Sequence, residues 1–258
     1  MEPVHTGHHM YMRASAVRAG WACAVVAALW SVGLTSIGGA HWSGYSQVHQ
    51  WVSELGERGA PDGAAVNWLG FFPAGVLVAA AVMLLARAFR FSTLATVGVL
   101  VVGFAEAVGY IGSAAAPCDL GCPATGGSLT QAVHNAVSVM NYAGVAVGAV
   151  CVAAALRGRR PWRPVRAASL VTAIVVTLSG PVMLVPAFAD GRGLVQRVVE
   201  VVILTWFVVL GAVAERVVAY ETASSRLTAP STALREAARI DGSMPRPQRM
   251  PSSLRAST

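Results

Sequence analysis

Six long apolar stretches alternate with short polar loops along the chain. They cover residues 18–39, 65–86, 94–116, 132–156, 167–188 and 194–214. A helix needs about 20 apolar residues to cross the hydrocarbon core of a bilayer, and each stretch has that length. The pattern therefore predicts an all-α fold, an integral membrane bundle of six transmembrane helices.

A second pattern lies in the first loop between these stretches. Tyr45, Val48, Val52 and Leu55 recur at helical spacing, and the positions between them are mainly polar. This spacing predicts a short amphipathic helix of about three turns. A helix at this place is expected to lie on the membrane surface or over the mouth of the bundle.

The composition agrees with a membrane protein. Hydrophobic residues make up 55% of the 258 residues and charged residues only 12%, too few for the surface of an ordinary soluble protein. Three regions are predicted: a cytoplasmic N-terminal segment at 1–16 whose first dozen residues are unordered, a six-helix domain at 17–220, and a disordered basic cytoplasmic tail at 221–258. Within the tail, 232–240 is a candidate membrane-surface helix.

The placement of arginine predicts the topology. All 19 basic residues are arginines, and 16 of them fall in the N-terminal segment, the even-numbered loops or the tail. The positive-inside rule then places both termini in the cytoplasm of a plasma-membrane protein. The net charge of +7 follows from this distribution, so it does not indicate nucleic-acid binding. The absence of lysine and the richness in Ala, Val and Arg suggest a bacterial source.

Two cysteines lie close together in a predicted outer loop. Cys118 and Cys122 flank a short Asp-Leu-Gly segment. A disulfide is the first expectation in an oxidising compartment, and two free thiols are the alternative. A zinc site is a weaker alternative, because it needs further ligands, for which Asp119, His134 and His49 are candidates.

Four ionisable residues fall inside or at the edges of the apolar stretches: Glu106, His134, Arg197 and Glu200. A charge in the hydrocarbon core is costly, so such groups are paired or functional. Together with Ser53, Glu54 and Asn67 they are the predicted binding residues of a polar pocket beneath the first loop. Each also has a structural alternative. Arg197 can pair with Glu200, His134 can reach the membrane interface or donate to a backbone carbonyl, and Glu106 can bond to Tyr110 or to a neighbouring helix.

Three chemistries are open for this set. A serine hydrolase would use Ser53, His134 and either Asp119 or Glu54, although no nucleophile-elbow motif is present. A proton-coupled carrier would relay protons through Glu106, His134 and Glu200. A bis-histidine haem is disfavoured because only one histidine lies within a span.

Several short motifs are more specific than composition. They are Ser-Glu-Leu-Gly at 53–56, Gly-Ala-Pro at 59–61, His134 at the head of the fourth helix, and Gly-x-x-Gln-Arg at 193–197. With these motifs the chain resembles, over about residues 15–220, the uncharacterised prokaryotic six-helix membrane family named domain of unknown function 998. The resemblance implies six helices and no established reaction. The Cys118 and Cys122 pair is not part of that pattern.

The sequence thus favours a protein without catalytic activity that binds a membrane lipid or small amphiphile in an outward-facing polar pocket. Arg197 is the expected partner of an anionic head group. No cofactor, metal ion or nucleic acid is expected. A membrane hydrolase or a proton-coupled carrier using the same residues is the competing hypothesis.

Overall fold

The computed structural model describes residues 3–185 and 190–240, with side chains described for 12–182, 185 and 190–225. Six of its helices are long and apolar enough to cross a membrane. They are α1 (Pro3–His41), α2 (Gly63–Phe89), α3 (Thr93–Ala115), α4 (Leu129–Ala155), α5 (Arg163–Leu184) and α6 (Arg192–Ile240). No strand occurs in the described residues. The prediction of an all-α bundle of six transmembrane helices is confirmed.

Serine side chains define the starts of two central helices. The Oγ of Ser92 accepts a hydrogen bond from the backbone N–H of Ala95 at the start of α3, and Ser128 does the same for Gln131 at the start of α4. Each serine thereby satisfies one of the N–H groups that a helix N-terminus leaves without an intrahelical partner. Both helices therefore begin at fixed positions, which sets the lengths of the loops before them.

Helix α2 is irregular around its proline. Residues Val66–Phe71 form a π-helical turn just before Pro73. Proline has no backbone N–H, so the carbonyl of Leu69 loses its normal helical partner. The indole N–H of Trp30 donates to that carbonyl at 2.9 Å instead. An α1 side chain thus satisfies a backbone group that would otherwise be unpaired in an apolar environment.

Small residues allow α3 and α4 to approach closely. A Cβ added at Gly148 would lie 2.8 Å from the carbonyl oxygen of Gly98, and one at Gly144 would lie 2.6 Å from the Cβ of Ala105. Gly144 and Gly148 therefore serve close helix packing. In a membrane, such contacts supply the van der Waals energy that holds helices together.

Helix α6 supplies much of the central core. The side chains of Trp206, Phe207 and Leu210 are almost completely buried. The indole N–H of Trp206 also donates to the Oγ of Ser169 on α5 at 2.8 Å. Trp206 therefore fixes α5 against α6 while keeping its one polar atom bonded.

The predicted three-turn amphipathic helix over residues 45–55 is wrong in extent. Residues 43–50 form turns and bends, and only Val52–Gly56 form a helix, of the 3-10 type. Side chains compete for the backbone here. The Oε1 of Gln50 accepts from the N–H of Ser46 at 2.9 Å, and the carbonyls of Gln47 and Gln50 accept from an arginine on another helix.

Both terminal segments are more helical than predicted. Helix α1 begins at Pro3, within the segment expected to be unordered, and α6 runs to Ile240, well into the tail expected to be disordered. Extending an existing helix avoids the cost of nucleating a new one, which explains both extensions. Residues 241–258 of the predicted tail lie outside the described residues. The chain divides into a compact unit ending at Val218 and a second unit from Ala219 onward.

Candidate functional site

One end of the bundle is covered by residues 42–62 and 116–128, and we call it the capped end. The apolar side of the first loop faces inward there. Val52 and Leu55 are buried and form a small core with Phe71 and Tyr110. Val48, which the helical pattern placed on the same face, is exposed. The loop is therefore a folded lid of turns, held in place by the contacts below it.

Arg197 of α6 is the main polar anchor of this loop. Its guanidinium donates to the Oε1 and the carbonyl of Gln47, at 2.6 and 2.8 Å, and to the carbonyl of Gln50 at 3.1 Å. It also donates to the Oη of Tyr45 at 2.6 Å and to the carbonyl of Gly193 at 3.0 Å. The arginine is thus almost fully occupied by the loop, because a guanidinium has five N–H groups.

The neighbours of Arg197 complete the docking surface. The backbone of Gln50 passes so close to Gly193 that a side chain there would collide with it. The Oε1 of Gln196 accepts from the N–H of Val52 at 2.8 Å, and the N–H of Leu194 donates to the carbonyl of Val48 at 3.0 Å. The Gly-x-x-Gln-Arg motif at 193–197 therefore has a structural role: its residues bind the first loop.

Two predicted binding residues hold the loop internally. Glu54 is 3% exposed, and its carboxylate accepts from the N–H of Trp51 at 3.0 Å and from the Nε2 of Gln50 at 2.9 Å. Arg192 lies 3.5 Å from it as an ion-pair partner. The Nδ2 of Asn67 donates to the carbonyl of Gly56 at 2.7 Å. Neither Glu54 nor Asn67 lines the two cavities of the capped end.

Beneath the loop lies a cavity of about 170 Å³ with a polar lining. A chain of hydrogen bonds runs along its wall: Tyr110 donates to the Oε2 of Glu200 at 2.9 Å, and its Oη is 2.7 Å from the Oγ of Ser31. Since the one proton of the tyrosine goes to Glu200, Ser31 is the donor in the second bond. The chain connects α1, α3 and α6. The polar residues that line the cavity include Ser31, Tyr110 and Glu200 of this chain and also Ser53, Glu106, Asn141, Gln196 and Arg197.

Glu106 is the most unusual member of this lining. Its side chain is 0% exposed, and within the described residues neither carboxylate oxygen makes a hydrogen bond of normal geometry, although Asn141 and Glu200 lie close enough to interact with it. Asn141 and Glu200 are its polar neighbours, and the Oδ1 of Asn141 is also unpartnered. A buried polar group without a partner costs free energy, so native proteins rarely keep one. The Glu106 carboxylate and the Oδ1 of Asn141 can thus accept hydrogen bonds from a donor bound in this cavity.

A second cavity, of about 200 Å³, adjoins the first. The two share Ser53, Ser138, Tyr142 and Gln196 in their linings. His134 lines the second cavity, and its Nδ1 lies 3.0 Å from the carbonyl of Ala116. The Oγ of Ser53 donates to the Sγ of Cys122 at 3.4 Å, and no hydrogen bond joins it to His134 among the described residues. The catalytic pair that a serine hydrolase requires is not assembled.

The cysteine loop closes the capped end beside the first loop. Cys118 and Cys122 form a disulfide and are both buried. Asp119, between them, accepts from the N–H and the Oγ of Ser128 at 2.6 and 2.8 Å. These bonds, from the backbone first, lower the pKa of Asp119, and the nearby guanidinium of Arg58 acts in the same direction. The loop is therefore tied to the start of α4.

The structure separates the predicted site residues into groups. Ser53, Glu106, Arg197 and Glu200 line the first cavity, His134 and Ser53 line the second, and Glu54 and Asn67 shape the lid. The suggested Arg197–Glu200 pair does not form, because Arg197 bonds to the loop and Glu200 accepts from Tyr110.

Sequence reasoning missed some of the lining residues as site members: Ser31, Tyr142 and Gln196. Gln196 belonged to a recognised motif. Asn141 and Tyr110 carried a signal, because they share helix faces with His134 and Glu106. Ser31 carried none, because a lone serine in an apolar helix is common.

Six membrane-length helices, with a cavity lined by two glutamates among them, define a polytopic helical membrane protein. A family model described as a protein of unknown function (DUF998) matches residues 25–213, which is most of the bundle. The chain belongs to this family. No curated protein and no solved structure matches it.

Proposed function

We propose that the protein is a membrane-embedded binding protein whose ligand places a protonated amine, or another group rich in hydrogen-bond donors, in the cavity between Glu106 and Glu200. The observation that carries this proposal is the fully buried carboxylate of Glu106, which lies beside Glu200 and makes no hydrogen bond of normal geometry. A bound donor would satisfy Glu106 and the free Oδ1 of Asn141 together, and charge-assisted hydrogen bonds of this kind are the stronger ones.

The charge balance of the cavity favours a cation over an anion. Two glutamates line it, and Arg197 is its one arginine. That guanidinium already donates to three loop residues and to Gly193, so little of it remains for a phosphate or carboxylate. The sequence-based expectation that Arg197 meets an anionic head group is therefore replaced by a cationic or donor-rich head group.

The size and position of the cavity support an amphiphile. About 170 Å³ accommodates a small head group but not a whole lipid. The cavity is lined by residues of five membrane-length helices, α1, α2, α3, α4 and α6, so a ligand from the bilayer is the simplest source. The second cavity shares four lining residues with the first. It offers space for the part of the amphiphile that adjoins the head group.

The proposed setting is the plasma membrane of a bacterium, with both termini cytoplasmic and the capped end facing outward. The bias of arginine toward the opposite side supports this orientation. Membrane lipids are the proposed partners.

Native mass spectrometry of the full chain tests the proposal. The protein is released from nanodiscs containing equal amounts of phosphatidylethanolamine, which carries an amine, and phosphatidylglycerol, which does not. We expect preferential retention of phosphatidylethanolamine and a loss of about tenfold in Glu106→Gln, because a charge-assisted bond is worth about 1.5–3 kcal/mol. Glu215→Gln is the matched control, since Glu215 pairs with Arg18 outside the cavity. Equal retention of both lipids, or an unaffected Glu106→Gln protein, would refute the proposal.

A proton-coupled carrier is the second candidate. The chain from Ser31 through Tyr110 to Glu200, next to Glu106, favours it because it is an unbroken path of exchangeable protons. Proteoliposomes loaded with a pH-sensitive dye test it. If the protein is a carrier, the wild type should collapse an imposed pH gradient faster than the Tyr110→Phe variant. Identical rates in liposomes with and without the wild-type protein would exclude the path.

A further inference from the structure

The cysteine loop and the head of α4 bring three metal-binding side chains together. The ligand atoms of Cys118, Cys122 and His134 all lie within 4.8 Å of one another, and the three residues are buried. Both cysteines lie in the loop and precede the histidine of α4 by at least 12 residues, so the tertiary structure brings the three side chains together.

The histidine is oriented as a metal ligand is. Its Nδ1 faces the carbonyl of Ala116 at 3.0 Å, which leaves Nε2 as the nitrogen available for binding. Histidines that bind metals usually donate their other ring N–H to a carbonyl or carboxylate, because this fixes the tautomer and the ring plane. His134 therefore has the supporting contact that a ligand requires.

The loop that carries the cysteines is braced from both sides. The carbonyl of Cys118 accepts from the N–H of Arg58 at 2.9 Å, and the N–H of Gly121 donates to Glu57 at 2.6 Å. On the other side, the fully buried Gln131 accepts from the N–H of Asp119 at 2.7 Å. Such bracing keeps the sulfurs near His134 whether or not they are bonded to each other.

We propose that Cys118, Cys122 and His134 form a binding site for a thiophilic divalent cation, such as Zn²⁺, when the disulfide is reduced. Reduction by a dithiol delivers two electrons and two protons, giving two cysteine thiols while the dithiol becomes a disulfide. Binding of Zn²⁺ then releases the two thiol protons to solvent. The two thiolates neutralise the cation, so the loaded site carries no net charge in its buried position. The disulfide closes the site, which makes metal binding dependent on redox state.

The geometry suits such an ion. With Zn–S distances of about 2.3 Å, tetrahedral ligand atoms lie about 3.5–4 Å apart. The two bonded sulfurs must separate to about this distance once the disulfide is reduced, while the ring nitrogen of His134 already lies within 4.8 Å of both. The second cavity is lined by Cys122, His134 and Ser53 and leaves the fourth coordination position open to water. Three protein ligands and one open position are typical of reactive zinc sites.

Cobalt substitution tests the proposal with the full chain in detergent. The protein is reduced with a phosphine, titrated with Co²⁺, and then titrated with Zn²⁺ as a competitor. We expect a thiolate-to-cobalt charge-transfer band at one equivalent that Zn²⁺ abolishes, and no band in the oxidised protein. Cys23→Ser/Cys151→Ser is the matched control, since these two free cysteines lie elsewhere in the bundle, and it should keep the band.

Two variants identify the ligands. Cys118→Ser/Cys122→Ser should lose the band, and His134→Gln should weaken Co²⁺ binding by at least about tenfold, in the range seen when a metal site loses a supporting group. Thermal unfolding shows whether each variant is folded. A reduced wild-type protein without a band, or one whose affinity His134→Gln leaves unchanged, overturns the proposal even if a cysteine variant fails to fold. Neither result bears on the Glu106 cavity.

Discussion

Replacing Arg197 with methionine should release the first loop from the bundle. Methionine keeps much of the length of the side chain but none of its N–H groups. Four of the five hydrogen bonds that Arg197 donates go to the loop, to Tyr45, Gln47 and Gln50. At a net value of about 1 kcal/mol each, their loss weakens loop docking by up to about 4 kcal/mol. This corresponds to an increase of up to about a thousandfold in the population with the loop open.

Hydrogen exchange measured by mass spectrometry on loop peptides reports this opening directly. In the wild type the N–H groups of Gln50, Val52 and Glu54 are all bonded, so they should exchange slowly. In Arg197→Met they should exchange much faster, while the core of α6 stays protected because Trp206 and its neighbours are untouched.

Arg192→Met is the matched control. Arg192 also contacts the loop, through bonds of 3.2 Å to the carbonyl of His49 and 3.5 Å to Glu54 and with its guanidinium 5.1 Å from the ring centre of Trp51, but its side chain is 32% exposed. A partly exposed pair of this kind is worth about 1 kcal/mol or less. If loop exchange accelerates no more in Arg197→Met than in Arg192→Met, the assignment of Arg197 as the anchor is wrong.

Two further predictions concern the same end of the bundle. Gly193→Ala should lower the thermal stability and speed loop exchange, because its methyl group collides with the backbone of Gln50, whereas Gly33→Ala, which meets nothing within 4 Å, should not. Burial raises the pKa of Glu57 despite a hydrogen bond from Gly121. The folded protein therefore holds this proton more tightly than the unfolded chain, whose glutamates titrate at about 4.3, and stability should fall as pH rises from there. Thermal unfolding across pH should show a smaller loss in Glu57→Gln than in the wild type; parallel profiles would contradict it.

The seven predicted binding residues illustrate how far a sequence pattern reaches. Depth within a helix is readable from the distance to the end of an apolar stretch, so the sequence could predict that these groups lie toward one end of the bundle. Which groups meet depends on helix rotation, and no spacing along one helix gives that. Glu106 and Glu200 lie together because α3 and α6 turn those faces toward the same cavity.

The first loop shows the opposite failure. Its helical periodicity correctly marked Val52 and Leu55 as buried, but the same periodicity implied a regular helix that is not formed. The groups that prevent it, Arg197 and Gln196, are about 150 residues away in the chain. Local propensity was overridden by contacts that exist only after the helices have assembled.

The sequence by itself determined that the chain crosses the membrane six times, because apolar length is a property of each segment alone and the backbone must satisfy its own hydrogen bonds in lipid. Tertiary structure decided which polar groups hydrogen-bond within the fold and which can still accept a bond from a ligand. Arg197 looked like a ligand-binding group and is used by the lid, whereas Glu106, for which Tyr110 was an expected partner, makes no hydrogen bond of normal geometry in the described structure, because Tyr110 donates to Glu200. A hydrogen bond between distant residues depends on the positions of both partners, and those positions are fixed only when the helices pack.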